Sequence, residues 1–233
     1  MPNNTRVKAV LFDLDGTLAD TSPDITDALN KLLIKHGKQT LDYELVRKNT
    51  SRGSIAIIQL GFERLLEEKH SYQLRDEFLQ IYAENLCGRT QLFPGVSELL
   101  DSLNESDIPW GIVTNKPGNL AEPLVQELGI AFNAVCMVSG DSLARRKPDP
   151  DQLHHAANML GSKEQDTIYM GDDPRDVQAG KAAGMKTAVA AYGYIPDEHD
   201  PHTWDADVVF QEPLNLKDWL FNNSWSTISI WSV

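Results

Sequence analysis

With 233 residues, 41% of them hydrophobic, and a formal charge of −13, the chain has room for one large domain and a small one, and is too acidic to present the basic stripe that nucleic acid requires. Two cysteines, Cys87 and Cys136, cannot build a disulfide framework and suit a reducing cytoplasm. No apolar run approaches the ~20 residues of a membrane span, and the first residues lack the apolar stretch of a signal peptide, so neither a membrane nor a nucleic acid is expected as a partner.

The first element is the apolar run Ala9-Val10-Leu11-Phe12, bounded by a Gly-containing turn, which reads as a buried strand. It ends in two carboxylates, Asp13 and Asp15, ahead of Gly16 and Thr17. Ligands of open α/β sheets bind beyond the carboxyl ends of strands, and carboxylates are costly to bury there without a partner of opposite charge. An isolated Asp-x-Asp is equally well a turn or cap pair. Next comes a stretch that reads as all helix. Ser22-Pro23-Asp24 is a helix start, with a cap and Pro at the first position. Ile25, Ala28, Leu29, Leu32 and Leu33 follow at helical spacing, and Gly37 closes the helix. Further helices are expected over 42–48, 54–60 and 72–86, and no strand between 18 and 92. The loop 49–54 carries Arg52, either a solvated surface cation or a bidentate partner for a carboxylate.

The chain returns at Phe93-Pro94-Gly95 and then alternates. Helices are expected over 96–103, 120–128 and 153–160, with a short one ending at Ala183. Strands are expected over 109–114, 134–138, 167–170 and 186–190. This alternation predicts an α/β, Rossmann-like parallel sheet with helices on both faces and an inserted all-helical domain. The strand at Trp110-Gly111-Ile112-Val113 ends in Thr114, Asn115 and Lys116, groups that could satisfy backbone or hold a phosphate. Lys147, in Arg145-Arg146-Lys147-Pro148, is a compact cation suited to phosphate, although a surface Lys is the default. Thr167-Ile168-Tyr169-Met170-Gly171 runs into Asp172, Asp173 and Asp176. Pro174 at the first helical position makes Asp173 the N-cap, which accounts for one of these three aspartates. The polar tail 222–233 reads as an added edge strand or a weakly ordered end.

Taken in order, Asp13-Leu14-Asp15-Gly16-Thr17, Thr114, Lys147-Pro148 and Gly171-Asp172-Asp173 with Asp176 resemble the haloacid dehalogenase superfamily, over residues 8–220. Each motif is weak alone; the ordered set is specific. The resemblance implies an α/β core of residues 1–18 and 93–233 and a helical cap of residues 19–92, hinged near 18–21 and 91–94. It implies phosphoryl transfer, in which Asp13 is the nucleophile that becomes an aspartyl-phosphate. Asp15 would be the general acid–base, its proton favoured by neighbouring negative charge. Crowded carboxylates call for an oxygen-liganded cation, and Mg²⁺ suits them. The implied ligands are Asp13, the Asp15 carbonyl and Asp172, with Asp176 orienting Lys147 or a metal-bound water and Asp173 in support. Thr114 and Lys147 would hold phosphate oxygens, with Gly16, Thr17, Asn115, Lys116 and Arg52 around the substrate. An acid at the position of Asp15 separates phosphatases and phosphomutases from dehalogenases. The segment Trp110-Gly111-Ile112-Val113-Thr114-Asn115-Lys116-Pro117 with Ala121-Glu122-Pro123 is one marker of the branch. Tyr192-Gly193-Tyr194-Ile195 and Trp204-Asp205-Ala206-Asp207 are the others. They resemble the phosphoglycolate phosphatase branch and, within it, bacterial N-acetylmuramic acid 6-phosphate phosphatases. The expected activity is Mg²⁺-dependent hydrolysis of a small carboxylate-bearing phosphomonoester, N-acetylmuramate 6-phosphate or 2-phosphoglycolate, by a monomer or small homo-oligomer. A sugar-phosphate mutase shares the core motifs. A silent binding module on this fold would have no reason to keep the carboxylate cluster.

Overall fold

Every residue of β1 (Ala9–Phe12) is buried, as a strand covered on both faces requires. The structure, a computed structural model, describes residues 7–62 and 68–221. After β1 come a two-residue strand β2 (Ala19–Asp20), helices α1 (Ser22–Lys35) and α2 (Tyr43–Arg47), and a 3₁₀ turn (Thr50–Arg52). Helices α3 (Ser54–Gly61) and α4 (Glu68–Ala83) follow, and the chain returns through β3 (Gln91–Leu92). It then alternates through α5 (Val96–Glu105), β4 (Trp110–Val113), α6 (Gly118–Glu127), β5 (Cys136–Val138), α7 (Asp151–Leu160), β6 (Thr167–Gly171), α8 (Pro174–Ala182), β7 (Lys186–Ala190), β8 (Val208–Phe210) and α9 (Leu214–Phe221).

The main sheet has six strands in the order β5-β4-β1-β6-β7-β8, all parallel. Its side chains divide by the two-residue period of a strand. Val10, Phe12, Ile112 and Met170 pack into one cluster with α5 and α6. Ala9, Leu11, Val113 and Tyr169 pack into another with α7 and α8. Register sets the site. Phe12 lies level with Ile112 on one side and with Met170 on the other. Asp13, Thr114 and Asp172 therefore leave the sheet at a common edge. The helices between β2 and β3 have a third cluster, with Leu29, Leu32, Ile58, Phe78 and Tyr82 at its centre and Leu120 of α6 joining it. No helix among the described residues is long and apolar enough to cross a membrane.

Three expectations are corrected. The stretch between 18 and 92 does contain strand: β2 and β3 pair antiparallel, Ala19 with Leu92 and Asp20 with Gln91. Two residues each are too short to show a period. The N-cap of α1 is Thr21, with Ser22 and Pro23 as its first two residues. The Ser22 hydroxyl instead donates to Asp20 at 2.6 Å. Strand β8 and helix α9 were not anticipated; three residues of Val208-Val209-Phe210 carry no alternation. The reading of 222–233 lies outside the described residues.

Candidate active site

Lys147 is the centre of the site. Its loop is held by Gln152, which accepts from the Lys147 N–H at 3.1 Å and donates to the Thr114 and Ser139 carbonyls at 3.2 and 2.7 Å. The Lys147 ammonium lies 3.0 Å from Asp13 and 2.8 Å from Asp176, and donates to the Tyr169 hydroxyl at 2.7 Å. Burial alone would lower its pKa; Asp13 and Asp176 outweigh burial and hold it above the usual lysine value. Burial pushes Asp13 up to about 7, against the pull of Lys147 and with the help of Asp176 and Asp15. Asp172 is held well above the usual carboxylate range, by burial first and then by Asp13 and Asp176. Its Oδ2 accepts from the Ser51 hydroxyl at 2.7 Å and the Tyr194 N–H at 2.8 Å; its buried Oδ1 has no hydrogen-bond partner. Carboxylate oxygens of Asp13, Asp172 and Asp176 lie within 4.8 Å of one another. Three buried oxygen ligands, one of them orphaned, fit a small hard cation such as Mg²⁺. Two glycines make room for the cluster. At Gly16, with φ of +80°, a Cβ would stand 2.0 Å from Asp172 Oδ2, and at Gly171 it would stand 2.3 Å from the Asp176 carboxyl carbon.

Asp15 points away from that cluster. Its Oδ1 accepts from the Thr21 hydroxyl at 2.6 Å and from Lys116 at 2.9 Å. Lys116 is itself buried, donates to the Tyr82 hydroxyl at 3.0 Å and sits 4.6 Å from that ring's centroid. Asp15 and Tyr82 outweigh burial and keep the Lys116 ammonium above its ordinary value. The negative surroundings expected for Asp15 thus include a cation in direct contact, Lys116. Thr114 Oγ1 accepts from the Lys116 N–H at 3.1 Å, which leaves the Thr114 hydroxyl proton outside that bond. Asn115 donates to the Lys147 carbonyl at 3.0 Å, and its Oδ1 is buried without a partner. Asp173 caps α8 and pairs with Arg175 at 2.7 Å, and Asp176 closes the reciprocal capping box. Gly16 and Thr17 do not line the cavity. The turn closed by Gly16 N–H to the Ala19 carbonyl at 3.0 Å tucks Thr17 underneath, fully buried.

A cavity of about 390 Å³ opens over these groups, floored by Asp13, Asp15, Thr114 and Lys147 and walled by Tyr72, Arg75, Phe78 and Tyr82 of α4. Arg52 stands at its edge, exposed, with its guanidinium on Asn49 Oδ1 at 2.9 Å. Sequence reasoning missed Ser51, Thr21, Tyr82, Arg75, Tyr169 and Gln152, each a lone residue type without a spacing signal. Tyr194 lay inside a flagged segment whose purpose was unread. Its N–H holds Asp172, and its hydroxyl accepts from the N–H groups of Thr21 and Ser22 at 2.7 and 3.1 Å.

Comparison with known proteins agrees with this geometry. A family model described as haloacid dehalogenase-like hydrolase matches residues 10–190. The chain is 40% identical over 213 residues to an N-acetylmuramic acid 6-phosphate phosphatase of Pseudomonas aeruginosa, covering 91% of this chain and 94% of that one. It is 39% identical over 209 residues to a phosphoglycolate phosphatase of Xanthomonas campestris pv. campestris, covering 90% and 94%. A crystal structure described as a predicted phosphoglycolate phosphatase from Haemophilus somnus superposes with a TM-score of 0.83 at 26% identity, over 93% of this chain and 99% of that one. The chain belongs to the haloacid dehalogenase-like hydrolase family.

Proposed function

We propose that the chain hydrolyses a small carboxylate-bearing phosphomonoester, N-acetylmuramate 6-phosphate or 2-phosphoglycolate, through an aspartyl-phosphate on Asp13 with Mg²⁺ at Asp13, Asp172 and the Asp15 carbonyl. The enzyme class, phosphoric monoester hydrolase, follows from the family and from the named phosphatases at 40% and 39% identity. The observation that carries the mechanism is the floor of the cavity. There a buried carboxylate, Asp13, sits 3.0 Å from a buried ammonium, Lys147, beside the orphaned oxygen of Asp172.

Phosphoryl transfer is mainly a problem of placement and charge. Lys147 and the Thr114 hydroxyl hold phosphate oxygens while Asp13 attacks phosphorus and the ester oxygen departs. When bound, the cation neutralises charge shared by the carboxylates and the phosphate. Asp176 keeps Lys147 in place, at 2.8 Å. Asp15, oriented by Thr21 and Lys116, gives its proton to the leaving oxygen, then takes one from the water that cleaves the acyl phosphate. Residues 19–92 act as a cap on the core of residues 1–18 and 93–233, turning about β2 and β3, and closure excludes water. Arg52 at the cavity edge draws the anion in. A panel of phosphomonoesters with Mg²⁺, including both named substrates and β-glucose 1-phosphate, tests the reading by kcat/KM. Hydrolysis of a carboxylate-bearing ester above the rest is the expected result. Isomerisation of the glucose ester in place of hydrolysis would instead mean a mutase.

A further inference from the structure

One stripe of α4 faces the cavity: Tyr72, Arg75, Phe78, Leu79 and Tyr82, the spacing of a single helical face. Tyr82 marks the chemical end, since its hydroxyl is 3.0 Å from Lys116 and Lys116 is 2.9 Å from Asp15. Arg75 lies seven residues earlier, about 10 Å farther along the axis at ~1.5 Å per residue. The wall between them is apolar, made by Phe78 and Leu79. Arg75 is half-buried, and among the described residues its ion-pair partner is its exposed chain neighbour Asp76 at 3.5 Å, longer than a good charge-assisted hydrogen bond.

We propose that Arg75 is the specificity-determining residue that takes the carboxylate of the leaving group, and that this leaving group is a sugar-sized ring rather than a two-carbon acid. The inference rests on the phosphatase reading above and names its substrate class. In 2-phosphoglycolate the carboxylate is one carbon from the ester oxygen. With that oxygen at Asp15, the carboxylate stays beside Tyr82 and Lys116 and falls short of Arg75. In a hexose 6-phosphate whose ring carries a carboxylate through an ether, the ring separates the two charges and lies along Phe78 and Leu79. A cavity of about 390 Å³ has room for such a ring. Arg52 is less suited, being exposed and already bonded to Asn49.

The test compares kcat/KM, with Mg²⁺, for the wild type and for Arg75→Ala, Arg75→Lys and Arg52→Ala. The substrates are N-acetylmuramic acid 6-phosphate, N-acetylglucosamine 6-phosphate (the same ring without the carboxylate), 2-phosphoglycolate and p-nitrophenyl phosphate. The wild type is expected to prefer the acid sugar over the neutral one by about 10- to 100-fold, the worth of a hydrogen bond to a charged group. It is expected to prefer the acid sugar over 2-phosphoglycolate as well. Arg75→Ala should bring the ratio between the two sugars toward one, mainly through KM, and Arg75→Lys should restore part of it. A ratio intact in Arg75→Ala, a ratio lost in Arg52→Ala instead, or 2-phosphoglycolate equal to the acid sugar in the wild type would overturn the inference. Wild-type inactivity on all four phosphomonoesters would overturn the phosphatase reading and the inference with it, whereas activity with the wrong ratios overturns the inference alone, so the two failures are told apart.

Discussion

Asp172 is fully buried, and one of its oxygens has no partner. A buried unpaired charge is costly, and a cation removes the cost. In Asp172→Asn the amide oxygen keeps the Ser51 and Tyr194 bonds, and the amide N–H group faces the Asp13 and Asp176 carboxylates. The metal-free variant should melt above the metal-free wild type. Mg²⁺ at a hundredfold excess over its Kd should raise the wild-type Tm by about 5–10 °C, from ~2.7 kcal/mol of linkage at ~2–4 °C per kcal/mol, and the variant far less. The pH dependence has a definite sign. Without metal, Asp13 is raised from 3.8 to about 7, so over that window the folded chain holds a proton that the unfolded chain has shed. Metal-free stability therefore falls as pH rises from 3.8 to about 7, and Asp172, raised in the same direction, adds to the fall. Thermal melts of the chelated protein between these limits check this; a flat profile contradicts it. At Asp15, Asn still accepts from Lys116 and Thr21 but has no proton to give. Asp15→Asn should slow alkyl phosphate hydrolysis by about 10²–10⁴-fold and p-nitrophenyl phosphate hydrolysis much less, because that leaving group departs unprotonated. Equal losses on both would remove the acid–base role.

At the scale of elements, the loop after β7 ties β2 and the start of α1 to the buried carboxylate cluster. The Tyr194 N–H binds Asp172, its hydroxyl accepts from Thr21 and Ser22 and lies 2.8 Å from Asp20, and the Tyr192 hydroxyl donates to the Thr17 carbonyl at 2.9 Å. Tyr194→Phe strands the buried Thr21 N–H at the start of α1 and leaves the Ser22 N–H only its 3.3 Å bond to Asp20. It should destabilise the fold by about 1–3 kcal/mol, read as a lower denaturation midpoint at unchanged m-value. A loss within error would mean that water replaces the hydroxyl. These ties explain what the sequence could and could not disclose. The strand ends bearing Asp13, Thr114 and Asp172 were legible because apolar runs stop abruptly at polar residues. The Pro174 rule placed the N-cap at Asp173 correctly. The role of Tyr194 was not legible, because a tyrosine that closes a contact across 173 residues of chain leaves no local pattern. Strands β2 and β3 escaped because two residues have no period. Arg52 drew notice as a cation in a turn, whereas Arg75 on α4 looked like any helical surface arginine until the helix was packed.

For the whole molecule, the helices between β2 and β3 lie over the sheet edge. Ser51 touches Asp172, Tyr82 touches Lys116, and Lys48 pairs with Asp197 at 2.5 Å. Asp13, Asp15 and the apolar wall of α4 thus face one space, assembled from segments far apart in sequence. The alternating α/β pattern and the helical insertion were readable from periodicity. The way one closes on the other was not, since it depends on single hydroxyls meeting across a gap. The proposed mechanism puts the phosphoryl group on Asp13. Its most direct test is acid-quenched mass spectrometry of the enzyme turning over a phosphomonoester with Mg²⁺. One phosphoryl group is expected on the peptide containing Asp13, absent with chelator and absent in Asp13→Asn. Steady turnover with no phosphorylated peptide, or undiminished turnover by Asp13→Asn, would contradict it.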